Sequence, residues 1–564
     1  MDKRNYFDAI VIGSGISGGW AAKELTEKGL KTLVLERGRD VRHLKDYPTA
    51  QHDPWQFEHR GEPSLKIRKE NPIASKCYAF KEDAFHFFTK DKEQPYIQEQ
   101  PFDWIRGYQV GGKSLTWARQ VQRWSDFDFE GPARDGFAVD WPIRYRDVSP
   151  WYSYVERFVG VSGNKDGIAA MPDGEFLPAF EMNTVEKHIQ KAIHGKYPSR
   201  NVIAGRCAHV TKPTEIHVMQ GRGVCQARSL CQRGCSYGGY FSSNASTLPW
   251  AEKTGNMTLR PHSIVESIIY DDKKEEVTGV RIIDAETKET KEYYAKIIFI
   301  NASTIATNQI LLNSKSKRFP DGLGNDNGLL GKYIAFHNYM GTLGGRIEGF
   351  ENKYYYGRRP TQPIIPNFRN VEKQETDFLR GYASFFSAYR GRGNAVPEDT
   401  LGAGFKDSLT ELGGWGVGMM QQGETIPKKE NHVRLSTSET DLYGIPQMVI
   451  SVGYDDNDYK STQDFLDQGA EMLEAAGVKD IYTRFNKAQN PGLDIHEMGG
   501  VRMGHDAETS LLNAYNQMHA CPNVFVTDGA CMTSTGSQNP SLTFMALTAR
   551  AADYAVKQLK KNEI

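Results

Sequence analysis

Hydrophobic and polar positions run along the chain in blocks whose period changes. Residues 7–12 (Phe-Asp-Ala-Ile-Val-Ile) read as a strand, residues 20–28 have helical spacing, and the apolar run 32–35 reads as a second strand ending at Glu36. Residues 296–301 contain Ile-Ile-Phe-Ile, apolar at consecutive positions, which predicts a strand covered on both faces, with a helix over 303–314 behind it. Two alternating runs, 263–270 and 277–283, flank a charged turn at 271–276. Residues 185–198 are helical in pattern, 524–527 form another short buried strand, and 541–557 form a terminal helix. From 331 to 487 the pattern shifts to short alternating runs rich in Gly, Tyr, Phe and Trp, such as 339–347, 414–421 and 447–452, with a helix over 462–477. That predicts an antiparallel sheet forming the floor of a pocket. Residues 40–70 are polar, aromatic and broken by Pro48, Pro54 and Pro63, which suits an extended arm or lid and equally an oligomer contact.

The glycines give the first strand and helix a chemistry. Gly13, Gly15 and Gly18 (Gly-Ser-Gly-Ile-Ser-Gly) join them, and an acid, Glu36, follows about 20 residues on. A lone motif of this kind is weak, but strand, glycines, helix, strand and terminal acid make the whole dinucleotide fingerprint. The glycine backbone approaches a pyrophosphate at the helix start, and Glu36 accepts from both ribose hydroxyls. A carboxylate there repels a 2′-phosphate, so the expected ligand is FAD or NAD and not NADP. The predicted fold is α/β: a Rossmann-like domain over 1–45, 100–125, 250–330 and 490–564, with a second, substrate domain over 126–249 and 331–489 built on the antiparallel sheet. Residues 46–99 form the arm or lid.

Composition narrows the partners. Lys plus Arg number 69 against 70 Asp plus Glu with no basic block, which excludes nucleic acid as an expected partner. No run of about 18 apolar residues is present to span a bilayer. The first strand begins by residue 7, leaving no room for a signal peptide, so the expectation is a cytoplasmic protein or one carried out by something else. Seven cysteines are too few for a disulfide scaffold at this length.

The candidate catalytic groups lie near the C-terminus. His496 opens a glycine-rich turn (Gly499, Gly500, Gly504), Asp528 and Gly529 end the strand 524–527 where a doubly wound sheet places ligands, and Asn539 and Pro540 stand at the start of the last helix as its N-cap and first turn. Unpaired amides and a partial positive charge are expected there. The loop 107–117 (Gly-Tyr-Gln-Val-Gly-Gly-Lys-Ser-Leu-Thr-Trp), with Gly112 and Ser114, has the form of a loop lying over a flat ring. Cys225, Cys231 and Cys235 are spaced to wrap an iron-sulfur cluster, with Arg222, Arg228 and Arg233 to offset its charge. A zinc site, needing Cys207 or His209 as a fourth ligand, and buried free thiols are the other two readings of the same residues.

These residues resemble the glucose-methanol-choline (GMC) family of flavoprotein oxidoreductases across essentially the whole chain. The match runs through the Gly13–Gly18 loop with Glu36, the Val-Gly-Gly-Lys-Ser loop, the 297–303 Ile-Ile-Phe-Ile-Asn-Ala-Ser segment, His-Glu-Met-Gly-Gly-Val-Arg-Met-Gly at 496–504, Asp528-Gly529 and Asn-Pro-Ser-Leu-Thr at 539–543. The resemblance implies FAD as cofactor, His496 as base, Asn539 as its partner, Asp528 and Gly529 along the ribityl-pyrophosphate and Val265 against the adenine. Thr116 stands where members with covalent flavin have histidine, implying unlinked FAD. The cysteine spacing is similar to the bacterial FAD-dependent sugar dehydrogenases, including glucose, gluconate and glucoside 3-dehydrogenase large subunits. That branch implies a 3Fe-4S cluster, a small subunit carrying the export signal, a cytochrome c-type acceptor and a periplasmic location. The expected activity is oxidation of a secondary ring alcohol of a sugar or glycoside at C3. The alternatives are C1 oxidation by a glucose or gluconate dehydrogenase, a pyranose oxidase using oxygen, and a flavin-binding subunit without turnover, against which the His496 and Asn539 pair speaks.

Overall fold

The computed structural model describes residues 5–353, 360–392 and 402–564, so residues 354–359 and 393–401 of the antiparallel segment lie outside the described residues. Among the described residues the strands form three sheets. In the first, Met257–Arg260, Thr32–Leu35, Tyr6–Ile12 and Thr290–Ile300 run parallel. Thr290–Ile300 serves three neighbours. Its second half pairs with Tyr6–Ile12 and, on the other side, with Val524–Val526, while its first half pairs antiparallel with Glu276–Asp284. Ser263–Asp271 completes the sheet. Ile297, Ile298, Phe299 and Ile300 are fully buried, as a strand covered on both faces must be. Helices Ile16–Glu27 and Ser541–Lys560 lie against each other over this sheet.

The second sheet is antiparallel throughout, in the order Ile364–Ile365, Tyr382–Arg392, Leu412–Glu424, Gly341–Ile347, Lys479–Phe485, with His337–Asn338 added at the end of Leu412–Glu424. Its two faces divide by the period of two. Phe386, Trp415, Val417, Met419 and Leu343 enter a core covered by helices Asp456–Ala475 and Thr184–Lys196. Phe385, Met420 and Thr342, each one step along, face the large cleft between the sheets. Of the aromatics in this region, Trp415 and Phe386 are therefore core residues, and Phe385 and Tyr339 reach the cleft.

Three expectations change. The strand expected at 447–452 exists as Pro446–Ser451 but pairs with His432–Thr440 and Ile97–Gln98 in a separate third sheet, because alternation specifies a strand without naming its neighbour. The helix expected from 462 begins at Asp456, where the Asp455 side chain caps it by accepting from the amides of Asn457 and Asp458. The stretch 42–99 forms short helical turns, among them Pro54–Gln56, Leu65–Glu70 and Ala74–Lys76.

A buried ion cluster ties the antiparallel sheet to residues 126–136. Arg380, with no exposed surface, donates to Glu424 at 2.9 Å, Asp135 at 3.0 Å and the Phe127 carbonyl at 2.8 Å. A charge without surface requires such partners.

Candidate active site

The cleft between the first and second sheets holds about 1550 Å³. The three glycines of the fingerprint loop divide two roles between them. A Cβ on Gly13 would stand 2.3 Å from the Asn301 carbonyl oxygen, and one on Gly18 2.0 Å from the Gly13 carbonyl oxygen, so both exist for close packing of strand, loop and helix. A Cβ on Gly15 would meet nothing within 4 Å, although Gly15 lines the cleft. The protein leaves that space open above the backbone, as a pyrophosphate cradle requires. Gly18 does not reach the cleft.

Glu36 lines the cleft and is buried, which raises its pKa. Its carboxylate accepts from the Ser14 amide at 3.1 Å and hydroxyl at 2.5 Å and from the Gly38 amide at 2.9 Å. The loop containing Gly112 and Ser114 packs on this one: the Gly111 amide donates to the Ser14 hydroxyl at 3.0 Å, and a Cβ on Gly112 would lie 3.4 Å from Gly15 Cα. Gly111 and Gly112 have positive φ of 89° and 50°, which bends the loop over the fingerprint. Val265, Asp528, Gly529 and Pro540 also line the cleft. Asp528 turns its two oxygens inward, accepting from the Ala530 amide at 3.0 Å and the Thr307 hydroxyl at 2.5 Å, and burial pushes its pKa up to about 6. These bonds brace the end of the strand at the cleft wall.

His496 and Asn539 meet at the cleft wall, with His496 Nε2 3.3 Å from Asn539 Nδ2. Asn539 is not the cap of the last helix, as the sequence suggested. Pro540, in helical conformation, takes the N-cap position without a side-chain bond, and the Asn539 amide turns to the histidine instead. Ser541 at the helix start lines the cleft, leaving first-turn amides directed toward it.

A residue that pattern reading did not find completes the group. His337 Nδ1 lies 2.9 Å from His496 Nδ1, with the rings nearly perpendicular at 84°. The two are 159 positions apart and come together because Ala335 and Met498 exchange backbone bonds at 2.9 and 2.8 Å. Asp494 locks the crossing by accepting from the backbone amides of both His337 (2.8 Å) and His496 (3.2 Å). Burial drives the pKa of His496 well below its ordinary value, helped by His337 and Lys113, and holds His337 at about 4. Both rings are neutral at pH 7.

Cys225, Cys231 and Cys235 gather with His209 around one small cavity of about 20 Å³, and Cys231 also lines the main cleft. Cys207 stays out of both; its Sγ sits 3.3 Å from the Ser162 hydroxyl. Among the described residues no three of the cavity's four candidates have ligand atoms within 4.8 Å of one another. A single tetrahedral zinc holds its donors roughly 3.8 Å apart; the Cys231 Sγ–His209 Nε2 pair has that separation, and no third candidate joins it. Two buried guanidiniums face this region without a carboxylate partner among the described residues. Arg119 has Nε and one terminal nitrogen without any partner, and Arg222 has another, with its pKa pushed down to about 9 by burial. Buried charge demands counter-charge, and among the described residues no carboxylate supplies it here. Arg233, expected to serve here, instead pairs with Asp83 at 2.7 Å. The three thiols and His209 are donors a metal group could use, but the cavity as it stands is too small for a cluster, and the described residues form no clear cluster site.

Family models of the GMC oxidoreductases match residues 7–337 (N-terminal part) and 427–548 (C-terminal part). The chain belongs to the GMC oxidoreductase family. As a GMC oxidoreductase it is an enzyme, and the family implies FAD as the occupant of the cleft. It is 28% identical to 2-methyl-1,2-propanediol dehydrogenase of Mycolicibacterium austroafricanum, covering 97% of this chain and 94% of the relative. It is 25% identical to the fructose dehydrogenase large subunit of Gluconobacter japonicus, covering 98% of each. In structure it resembles pyridoxine 4-oxidase from Mesorbium loti, with a TM-score of 0.60 and 15% identity over 97% of this chain and 98% of that one, a likeness of fold.

Proposed function

We propose that this GMC oxidoreductase is an FAD-dependent dehydrogenase oxidising a secondary ring alcohol of a sugar or glycoside, at C3. The observation that carries this reading is the pairing of His496 Nε2 with Asn539 Nδ2 at 3.3 Å on the cleft wall. Bound FAD supplies the two-electron acceptor for the carbinol hydride. His496 Nε2 takes the hydroxyl proton, which requires the neutral ring that its burial provides. Asn539 Nδ2 donates to the substrate oxygen as negative charge develops there. Phe385 and Tyr339 offer aromatic surface for the apolar face of a pyranose, and Thr342 and Ser387 beside them offer hydroxyl groups. With Thr116 in the cleft where a linking histidine would stand, the flavin is held without a covalent bond.

Cys225, Cys231 and Cys235 would hold a 3Fe-4S cluster, which would pass electrons on to a cytochrome-type acceptor. A cluster supplies a one-electron exit from a two-electron centre. Cys231, shared by the cleft and the cysteine cavity, and the guanidiniums of Arg119 and Arg222, which lack a carboxylate partner among the described residues, support this route. The fructose dehydrogenase relative is named as a large subunit; by the same organisation this chain pairs with a small subunit that carries the export signal, and works in the periplasm.

Anaerobic flavin bleaching tests the reading. Methyl α-D-glucopyranoside, whose C1 is blocked, is expected to bleach the flavin and yield a 3-keto product. Bleaching only by glucose or gluconate would move the chemistry to C1 or the acid, and bleaching only by 2-methyl-1,2-propanediol would remove the sugar. His496→Ala is expected to lose ~10²- to 10⁴-fold in bleaching rate while keeping FAD.

A further inference from the structure

Two independent hydrogen-bond chains end on His496, and each fixes the position of a proton. The first starts at His337, which is completely buried. Its Nε2 lies 2.9 Å from the Gly536 carbonyl oxygen and 3.2 Å from that of Thr535. Carbonyl oxygens only accept, so Nε2 bears the hydrogen. A neutral imidazole has one hydrogen, so Nδ1 of His337 is a bare acceptor. His496 Nδ1 approaches that lone pair at 2.9 Å. Two lone pairs do not face each other at this distance, so His496 carries its hydrogen on Nδ1 and its Nε2 is bare.

The second chain arrives from the other side. Tyr339 donates to Gln422 Oε1, and Gln422 Nε2 donates to the Ser537 carbonyl at 2.8 Å. That orientation aims the other Gln422 N–H at Asn539 Oδ1, 3.4 Å away. Asn539 thereby turns its Nδ2 to His496 Nε2 at 3.3 Å, and a donor faces a bare nitrogen. Both chains give the same answer from separate carbonyl anchors. The three residues 535–537 supply all of those anchors, so one backbone segment orients both arms.

We propose that His337 is a positioning residue that fixes His496 in the Nδ1–H tautomer, so that Nε2 is the one lone pair presented to substrate. This rests on the reading of His496 as the base. When His496 takes the hydroxyl proton on Nε2, its Nδ1–H bond to His337 becomes charge-assisted and strengthens. His337 keeps its own proton throughout, held by the two carbonyls. Without it, Nδ1 and Nε2 of His496 compete for one hydrogen, and a share of the enzyme shows the substrate a donor where it needs an acceptor.

The test uses the FAD-loaded enzyme with ¹⁵N-labelled histidine, His496→Ala serving to assign the His496 signals. The parent is expected to show His496 protonated at Nδ1 and bare at Nε2 near neutral pH. A hydrogen on Nε2 overturns the proposal whatever the substrate. His337→Phe, which keeps bulk and removes the acceptor, is expected to give mixed tautomers and to lower the limiting rate of flavin reduction by methyl α-D-glucopyranoside ~10- to 100-fold, with flavin content and half-saturating sugar concentration little changed. His337→Asn restores an acceptor near the Nδ1 position and is expected to recover most of that rate. Equal loss in both variants, or an unmixed Nδ1–H signal in His337→Phe, refutes positioning and leaves His337 as packing. Reduction of the His496→Ala flavin at the parent rate would instead overturn the base assignment itself.

Discussion

Gln422 stands behind Asn539, with its Nε2 3.4 Å from Asn539 Oδ1 and 2.8 Å from the Ser537 carbonyl. The amide that faces His496 is thus oriented by its neighbour rather than by the helix it precedes. Asn539→Asp replaces a donor with a carboxylate opposite His496 Nε2. The negative charge holds a proton on His496, raising its pKa, and opposes charge growth on the substrate oxygen. Anaerobic flavin reduction is expected to fall ~10²-fold, with the pH profile displaced upward. A parent rate in the variant would reduce Asn539 to a space-filler.

Gly15 and Gly18 separate cofactor binding from stability. Gly15→Ala adds a methyl group into open space, so the apoprotein should melt as the parent does while FAD affinity drops at least ~10-fold from lost close approach. Gly18→Ala puts its methyl 2.0 Å from a backbone carbonyl and should cost ~1–3 kcal/mol of stability. Calorimetry without flavin and FAD titration check the pair. Unaltered FAD binding in Gly15→Ala would mean the space above it is not the pyrophosphate's.

Asp494 carries a pH signature. Burial first, then Glu497, pushes its pKa up to about 7, from an ordinary value of ~4. Between those values the folded chain binds the proton and the unfolded chain does not, so the contribution of this group is complete below pH ~4 and is lost as pH rises through about 7. Asp494→Asn retains an oxygen for the amides of His337 and His496 and removes the titration. The variant's Tm relative to the parent should therefore climb between pH 5 and pH 8. The ionised carboxylate also lies within 4.8 Å of both imidazoles, so the parent's flavin reduction rate should rise with pH through about 7 and the variant's should not. Parallel Tm curves would place the titration elsewhere.

Protein purified anaerobically is expected to contain about three irons per chain, by the ligand count, and Cys231→Ser to lose dye or cytochrome reduction while sugar still bleaches the flavin. Arg119→Gln should lower iron retention, since it removes a buried positive charge facing the thiolates. Stoichiometric zinc, or a metal-free parent with full dye reduction, would refute the relay.

Most of the first sheet was legible because most of its strands carry their own signal; the short strand Met257–Arg260 does not, and Thr290–Ile300 begins six residues before the run 296–301. The run 7–12 became Tyr6–Ile12, and 32–35 became Thr32–Leu35. Sites made by crossings were not legible. Nothing in Phe336-His337-Asn338 marks its histidine, which acquires meaning only when Ala335 pairs with Met498. Arg119 is one more basic residue in a sequence and becomes notable only when folding buries it without a carboxylate partner among the described residues. Asn539 looked like a cap because Asn before Pro at a helix start usually is one. Local preference yielded there to Gln422, which is 117 positions away.

Thr290–Ile300 joins strands from the beginning and the end of the chain. During synthesis, Tyr6–Ile12 must wait for it, and its own second edge stays open until Val524–Val526 emerges. The helix that packs over this sheet, Ser541–Lys560, emerges later still than that strand. The cleft beside the glycine loop is therefore incomplete until residues 524–560 have emerged, and flavin loading is expected only after that. A ribosome-stalled chain ending before residue 524 should capture no FAD, however well its N-terminal fingerprint is formed.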